Sequence, residues 1–262
     1  MTLPETFGKN LPTWREWQRA PWGRLFYRVE QANLLRHLGP ASLNVLDVGG
    51  GNGIDAGFLA GLGHAVTLVD YAAPMLAEAR AAAGASGVLD RVSFAQATVD
   101  DLPALFAPAS FDAVLFHNVL GYVENVVASL EAIAGTLKPG GLVSVVGANR
   151  YSDPYRAAIR RLNLVEAYEQ LEATAELTGV FGAHRRKLSA NETIAWLQLA
   201  GLETIAQYGI RCICDYIPND EIKSDPEIYA QLESLELAMT DQFPYYLVAR
   251  FFQVVARKGA AG

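Results

Sequence analysis

Two neighbouring apolar runs end on glycines and carboxylates whose types and spacing suit the binding of a nucleoside. The stretch NVLDVGGGNGIDAGFLAGLGHAVTLVD occupies residues 44–70. A turn without side chains at Gly49, Gly50 and Gly51 lets backbone N–H groups at the start of the next helix approach a ligand closely. Asp70 ends the second run about 20 residues further on, where a carboxylate can accept both hydroxyls of a ribose.

The elements that must position these residues alternate between apolar runs and helical patterns over residues 43–149, which predicts βα units and a parallel sheet. The runs are rich in valine and leucine without strict alternation, as is typical of strands covered on both faces. The predicted strands are Leu43–Val48, Ala65–Val69, Val92–Ala95, Ala113–Phe116 and Leu142–Val146. The predicted helices are Ile54–Leu62, Ala73–Ala85 and Val123–Leu137.

Two more strands are predicted later in the chain, one near Glu203–Ile213 and a long last one in FPYYLVARFFQVVARKG, residues 243–259. The alternating character of the last strand favours an antiparallel partner. The fold class is therefore α/β, a Rossmann-like doubly wound sheet of seven mostly parallel strands with an antiparallel last strand. Its predicted parts are an N-terminal helical lid (1–42), a nucleoside-binding core (43–149), a helical insertion that caps the substrate (150–188) and the C-terminal part of the core sheet (189–262).

Length, net charge and the placement of the cysteines limit the classes of protein to which the chain can belong. The 262 residues suit one large domain, and a formal net charge of −7 argues against gripping nucleic acid over the whole surface, though not against a local basic patch. Cys212 and Cys214 would share one face of a strand, so no disulfide is expected between them. No Cys/His metal spacing, signal peptide or run of membrane-spanning length is present, and a soluble cytoplasmic protein without a metal is expected.

Two cofactors compete for the glycine turn. Dinucleotide sites prefer G-x-G-x-x-G, and here Ile54 stands in the third glycine's place, which weakens NAD. The D-x-G-x-G pattern of Asp47, Gly49 and Gly51 instead resembles motif I of class I S-adenosylmethionine-dependent methyltransferases. Asp70, DLPALF (101–106), FDAVLFHNVL (111–120) and LKPGGLVSVV (137–146) resemble that family's other landmarks in order. The alternatives are a glycine-rich turn in a non-catalytic α/β domain and a non-catalytic protein that binds the nucleoside without transferring anything.

The resemblance implies S-adenosyl-L-methionine as cofactor and assigns roles to individual residues. Asp47 would orient the loop or meet the ammonium group, Asp70 would hold the ribose, and His117 would lie beside the sulfonium. Thr98 stands where most relatives carry an acidic residue that reads the adenine, so that contact is assigned to Val99 and one of the two following aspartates. The implied cofactor-binding set is Arg24, Asp47, Gly49, Gly50, Gly51, Asp70, Tyr71, Met75, Val99, Asp100 and His117.

Later segments resemble a narrower family, the bacterial tRNA 5-carboxymethoxyuridine methyltransferases (CmoM type). They are FHNVLGYV (116–123), HRRKLS (184–189), GIRCICDYI (209–217) and LESLELAMTDQFPYYLVARFFQVVARK (232–258). In this family PWGRLFYR (21–28) would supply an arginine to the cofactor's carboxylate. Arg24 is the first candidate and Arg28 the second, with a solvated helix charge as the alternative for each.

Making a methyl ester requires a positioned carboxylate rather than a strong base. Arginine positions a carboxylate through two parallel hydrogen bonds, and Arg211, with Tyr216 nearby, is the predicted catalytic candidate together with His117. The alternative for Arg211 is a structural ion pair with Asp215.

The partner of the enzyme is either a tRNA anticodon loop or a small-molecule acceptor. The basic cluster His184–Lys187 would meet phosphates, and Trp14, Trp17 and Trp22 would stack on an unpaired base or simply pin the N-terminal helices to the core. With a small metabolite, O- or N-transfer would use His117 or His184 as a base.

Overall fold

The computed structural model describes residues 9–178 and 182–259. The nine strands of this part of the chain are β1 Asn44–Val48, β2 Ala65–Asp70, β3 Val92–Gln96, β4 Phe111–His117, β5 Leu137–Ala148, β6 Ala175–Leu177, β7 His184–Arg186, β8 Leu202–Ile210 and β9 Phe251–Lys258. Seven of them form one sheet in the order β3-β2-β1-β4-β5-β9-β8. Strands β1 to β5 pair in parallel, whereas β9 runs antiparallel to β5 and β8. The predicted fold class is confirmed.

Helices cover both faces of this sheet. The α-helices of the described chain are α1 Leu11–Arg19, α2 Pro21–Leu35, α3 Ile54–Gly61, α4 Ala73–Ala85, α5 Leu102–Leu105, α6 Val126–Thr136, α7 Ser152–Tyr155, α8 Leu164–Glu169, α9 Ala190–Leu199 and α10 Pro226–Met239. A π-helical turn, Arg156–Arg160, follows α7.

Consecutive residues of the central strands point into opposite halves of the core. Val45 and Leu115 belong to a cluster packed with α3 and α4, whereas Leu46 and Val114 belong to a cluster packed with α6 and α9. All four side chains are fully buried. Burying one such side chain contributes about 1.5–3 kcal/mol, so both residues of each pair stabilise the sheet. Burial on both faces explains why the sequence shows apolar runs rather than alternation.

The insertion, the end of β8 and the start of β9 are among the elements that differ from the sequence prediction. The insertion contains α7, the π-helical turn and α8, and also the hairpin of β6 and β7, which was not predicted. Strand β8 ends at Ile210 because Arg211 adopts a left-handed backbone, with φ of 62°. The last strand begins at Phe251 rather than near Phe243, since Tyr245–Val248 form a 3₁₀ turn after Pro244, which has no N–H for a strand ladder.

Some of the predicted segments extend beyond the described residues. Residues 1–8 of the predicted N-terminal lid, 179–181 of the predicted insertion and 260–262 of the predicted C-terminal part lie outside them. Within the described chain, Cys212 and Cys214 are buried free thiols.

A capping box is present at the start of α9, where Ser189 and Glu192 are three residues apart. The Ser189 hydroxyl accepts from the backbone N–H of Glu192 at 3.3 Å, and the Glu192 carboxylate accepts from the backbone N–H of Ser189 at 2.9 Å. We expect Ser189→Ala to lower the free energy of unfolding by about 1 kcal/mol, measured by urea denaturation. The control Ser234→Ala removes an exposed hydroxyl on α10 and should change it by less than about 0.5 kcal/mol. Equal effects of the two substitutions would contradict this role of Ser189.

Candidate active site

The turn between β1 and α3 provides a surface free of side chains. Gly49 and Gly51 have φ of 71° and 57°, a left-handed conformation that favours glycine. A Cβ on Gly49 would collide with Val119, whereas a Cβ on Gly51 would meet nothing within 4 Å. Both glycines line the same cavity. Gly49 therefore has no room for a side chain because Val119 packs against it, whereas Gly51 leaves free space beside the turn.

Asp70 connects this turn to the end of β2. Its Oδ2 accepts the backbone N–H of Gly51 at 2.9 Å and its Oδ1 accepts that of Ala72 at 2.8 Å. Burial raises the pKa of Asp70, although these backbone hydrogen bonds act in the opposite direction. Each oxygen still has a second lone pair, so the carboxylate can hold the turn and accept hydroxyl donors from a ligand.

A cavity of about 560 Å³ brings together the last residues of three strands, Val48, Asp70 and His117. This is the edge where open α/β sheets bind ligands. Of the predicted cofactor-binding residues, the cavity is lined by Asp47, Gly49, Gly50, Gly51, Asp70, Tyr71, Met75, Val99, Asp100 and His117.

Arg24 is the one member of that predicted set that does not line the cavity. Its side chain is exposed, with the guanidinium 4.4 Å from the centroid of the Tyr229 ring. The second candidate, Arg28, pairs with Glu233 at 2.8 Å. Both arginines lie on the outer face of α2, whereas Phe26 and Tyr27 of the same helix line the cavity.

The turn after β3 distinguishes the two aspartates considered for the adenine contact. Asp101 accepts hydrogen bonds from the backbone N–H and the hydroxyl of Thr98, both at 2.8 Å, so it serves as part of a capping box. Asp100 and Val99 line the cavity instead. The assignment to Val99 and Asp100 therefore remains compatible with the geometry.

His117 is held at both ring nitrogens. Its Nδ1 lies 3.3 Å from Asp55 Oδ2 and 3.5 Å from Glu30 Oε1, and its Nε2 lies 2.9 Å from the Ser144 hydroxyl. Burial, with Asp55 and Asp47 nearby, raises the pKa of Glu30 well above its usual range. The ring is therefore committed to a buried polar network, which disfavours a role as a free base.

Sequence reasoning missed Glu30 and Asp55. Asp55 follows the glycine turn in the first turn of α3, where an acidic residue is a recognisable signal. Ligand atoms of Glu30, Asp55 and His117 lie within 4.8 Å of one another, a grouping able to hold a cation. Asp47 adds a buried Oδ2 without a hydrogen-bond partner in the described residues, and burial raises its pKa well above the usual range. This acidic side of the cavity suits a positively charged ligand.

The side of the cavity formed by the insertion and the ends of β8 and β9 is lined by arginines. They are Arg156, Arg185, Arg211 and Arg250, and the carboxylates of Glu176 and Asp215, which pair with Arg185 and Arg211, line the same cavity. In a chain of net charge −7, this concentration of cations indicates an anionic ligand group.

Arg211 forms the ion pair with Asp215 that was the alternative to its catalytic role. Its Nε and Nη2 donate to the two carboxylate oxygens at 2.6 and 2.5 Å, and its Nη1 donates to the Trp22 carbonyl at 3.4 Å. Burial alone would raise the pKa of Asp215, but Arg211, Arg156 and Arg250 outweigh it, so that the pKa lies below the usual range. Both residues of the pair line the cavity.

Tyr216 is not among the residues that line the cavity, because it is turned away by a hydrogen bond. Its hydroxyl donates to the backbone carbonyl of Val248, and its ring packs edge-on against Tyr155. A direct contact between Tyr216 and an acceptor in this cavity is therefore not supported by the geometry.

The residues of the basic cluster His184–Lys187 do not lie together on one surface. Arg185 lines the cavity and pairs with Glu176, and it passes so close to Gly121 that a Cβ there would collide with it. Lys187 is buried and pairs with Asp153 at 2.7 Å. Only His184 and Arg186 of this cluster are exposed.

The three tryptophans of the N-terminal helices also take different positions. Trp14 and Trp17 stack with ring centroids 4.7 Å apart, and both line the cavity. Trp17 and Trp22 pack against the cluster that includes Phe26 and Phe251. Trp22 thus pins α2 to the core, whereas Trp14 and Trp17 border the ligand site.

Comparisons with known proteins identify the family of the chain. A family profile described as "Methyltransferase domain" matches residues 46–145. The tRNA 5-carboxymethoxyuridine methyltransferase of Escherichia coli strain K12 is 31% identical over 232 residues, which cover 86% of this chain and 84% of that protein. The chain belongs to the S-adenosylmethionine-dependent methyltransferases, and S-adenosylmethionine is its cofactor.

Other relatives are named for different methyl acceptors. A ubiquinone biosynthesis O-methyltransferase of Xanthomonas axonopodis pv. citri is 36% identical over 168 residues, covering 63% of this chain and 65% of that protein. A SAM-dependent methyltransferase of known structure from Thermotoga maritima is 17% identical, with a TM-score of 0.64 over 97% of this chain and 99% of that one, and this likeness shows the fold alone. No helix in the described part of the chain is long and apolar enough to span a membrane.

Proposed function

We propose that this enzyme methylates the carboxylate of 5-carboxymethoxyuridine in tRNA. The observation that carries the proposal is the set of four arginines on one side of the cavity, which suits a negatively charged acceptor. The identity to the Escherichia coli tRNA enzyme supports the same substrate. A tRNA substrate would place the enzyme in the cytoplasm.

We propose that the acidic side of the cavity holds the cofactor. Asp70 would accept the ribose hydroxyls, and the open face of Gly51 leaves room for the nucleoside. The unpartnered Oδ2 of Asp47 suits the ammonium group, directly or through water. Val99 and Asp100 would contact the adenine, and Tyr71 and Met75 would flank it.

Methyl transfer to a carboxylate needs no acid or base catalyst. Bound S-adenosylmethionine supplies a methyl group that a carboxylate oxygen attacks in line, forming a C–O bond while the electron pair of the S–C bond returns to sulfur. No proton moves, so the side chains need only bind, orient and exclude water. The arginine side would orient the carboxylate, and Trp14 and Trp17 would cover the site from water.

A small-molecule acceptor is the second candidate, and the aromatic lining favours it. Trp14, Trp17, Phe26 and Tyr27 all border the cavity, as in pockets for apolar ligands. A phenolic acceptor would need a base, however, and both ring nitrogens of His117 are already engaged. The arginines favour an acceptor that is itself an anion.

The purified enzyme should be incubated with S-adenosylmethionine and two tRNA pools, one carrying 5-carboxymethoxyuridine and one lacking it. Mass analysis of the digested nucleosides is expected to show the methyl ester only in the first pool. If 5-carboxymethoxyuridine remains unmethylated after exhaustive reaction, the proposal is overturned. Parallel transfer to a phenolic acceptor in the same assay would support the second candidate.

A further inference from the structure

Arg156 has hydrogen-bonding capacity that the protein does not use. It is the first residue of the π-helical turn, and it lines the cavity. Its Nη1 lies 3.5 Å from Asp153 Oδ1 and its Nε lies 3.6 Å from Asp215 Oδ1, both long contacts, and this buried Nε has no hydrogen-bond partner among the described residues. Buried polar atoms are nearly always hydrogen-bonded, so a guanidinium held within the protein only by these long contacts keeps donors for a ligand in the cavity that it lines.

A second guanidinium shares the same carboxylate. Arg250 is nearly buried, and its Nη1 lies 3.2 Å from Asp153 Oδ1 and 3.3 Å from the Ser152 hydroxyl. Burial and the neighbouring Arg156 lower the pKa of Arg250 to about 10. Two arginines thus stand close together at Asp153, with side-chain exposures of 23% for Arg156 and 11% for Arg250.

The carboxylates around them are too few to neutralise the cations. Asp153 contacts Arg156, Arg250 and Lys187, the last at 2.7 Å. Asp215 is already bound by Arg211 through two hydrogen bonds, and Glu176, the other carboxylate that acts on Arg250, is already paired with Arg185. Because an uncompensated buried charge is strongly destabilising, this surplus indicates a place for an anion from outside the chain.

We infer that Arg156 and Arg250 form the binding site for the carboxylate of the methyl acceptor. The inference rests on the proposed function in requiring an anionic acceptor, and it moves the carboxylate contact away from Arg211. All three nitrogens of Arg211 have partners within the chain, so Arg211 and Asp215 form a fixed wall of the site. Methylation removes the charge of the acceptor, so the neutral ester would lose its attraction for these arginines and leave.

The test uses phenoxyacetate, which carries a carboxymethoxy group on an aromatic ring, and its neutral methyl ester. Binding to the enzyme saturated with S-adenosylhomocysteine is measured by titration calorimetry. We expect phenoxyacetate to bind about 10- to 100-fold more weakly to Arg156→Gln, the loss typical of hydrogen bonds to a charged group. The ester should bind weakly and equally to wild type and variant.

The matched control is Arg160→Gln. Arg160 lies on the same π-helical turn but pairs with Asp220 and does not line the cavity, so phenoxyacetate binding should be unchanged. Arg250→Lys, which keeps the charge, serves as a second variant, and unchanged affinity for S-adenosylhomocysteine verifies folding. Equal binding of phenoxyacetate to wild type and Arg156→Gln, or no preference of wild type for the acid over the ester, would overturn the inference.

The tRNA assay separates this inference from the proposed function. If phenoxyacetate binding depends on the arginines but tRNA is not methylated, the result would support the carboxylate site and contradict tRNA as the acceptor. Methylation of tRNA with an unchanged KM in Arg156→Gln would instead support the proposed function and overturn the inference.

Discussion

Replacing Arg211 with alanine is expected to lower the free energy of unfolding by about 3–5 kcal/mol at pH 7, the cost of leaving one partner of a buried ion pair alone. The pair is buried on both sides, with side-chain exposures of 6% and 7%. Without Arg211, the Asp215 carboxylate keeps only the long contact to Arg156 at 3.6 Å among the ion pairs of the described chain. Urea denaturation measures the loss.

The same pair predicts a pH dependence. The pKa of Asp215 is below its usual range in the folded protein, so its contribution to stability is present above the unfolded pKa and is lost as pH falls through the folded pKa. The difference between wild type and Arg211→Ala should therefore shrink below about pH 4, where Asp215 begins to be protonated in the unfolded chain.

The control for this prediction is Arg36→Ala. Arg36 pairs with Asp241 at 2.6 Å, but both side chains are more than a third exposed, and such pairs contribute about 0–1 kcal/mol. A loss for Arg211→Ala no larger than that for Arg36→Ala would show that the buried pair does not stabilise the fold.

Removing the carboxylate of Asp70 should weaken binding of S-adenosylhomocysteine by about 1–3 kcal/mol, or roughly 5- to 150-fold. Asp70→Ala removes the acceptor assigned to the ribose and also the hydrogen bonds to Gly51 and Ala72 that hold the turn. Asp70→Asn keeps one acceptor oxygen and should lose less. Calorimetry with the purified variants measures both.

The pH dependence of S-adenosylhomocysteine affinity provides a second measurement of the role of Asp70. Because burial raises the pKa of Asp70, wild-type affinity should begin to fall at a higher pH than an ordinary aspartate would give, and Asp70→Ala should not show that component. The control is Asp112→Ala, which removes a carboxylate near the start of β4 that pairs with Lys138, away from the cavity. An Asp70→Ala affinity equal to that of Asp112→Ala would place the ribose elsewhere.

The sheet and the cofactor loop were predictable because their signals are local. The glycine turn, the carboxylate of Asp70 and the run leading to His117 each stand at the end of an apolar run, and parallel strands bring such ends to one edge. The capping box at Ser189 was predictable for the same reason, since its two residues are three apart.

The arginine side could not be predicted in this way. Arg156, Arg185 and Arg250 come from a π-helical turn, a hairpin and the residue before β9, and only the tertiary fold brings them to one cavity. Arg24 is the opposite case: its position in the sequence is suggestive, but the helical phase of α2 turns it outward while Phe26 faces the core. Which face of a helix packs against the core depends on packing partners that the sequence does not reveal.

A crystal structure with S-adenosylhomocysteine is the most direct measurement of the arrangement described above. It should show the ribose hydroxyls within hydrogen-bonding distance of Asp70, the nucleoside passing over Gly51, and the sulfur facing the part of the cavity lined by Arg156 and Arg250. A nucleoside seated outside this cavity, or a sulfur pointing away from the arginines, would contradict it.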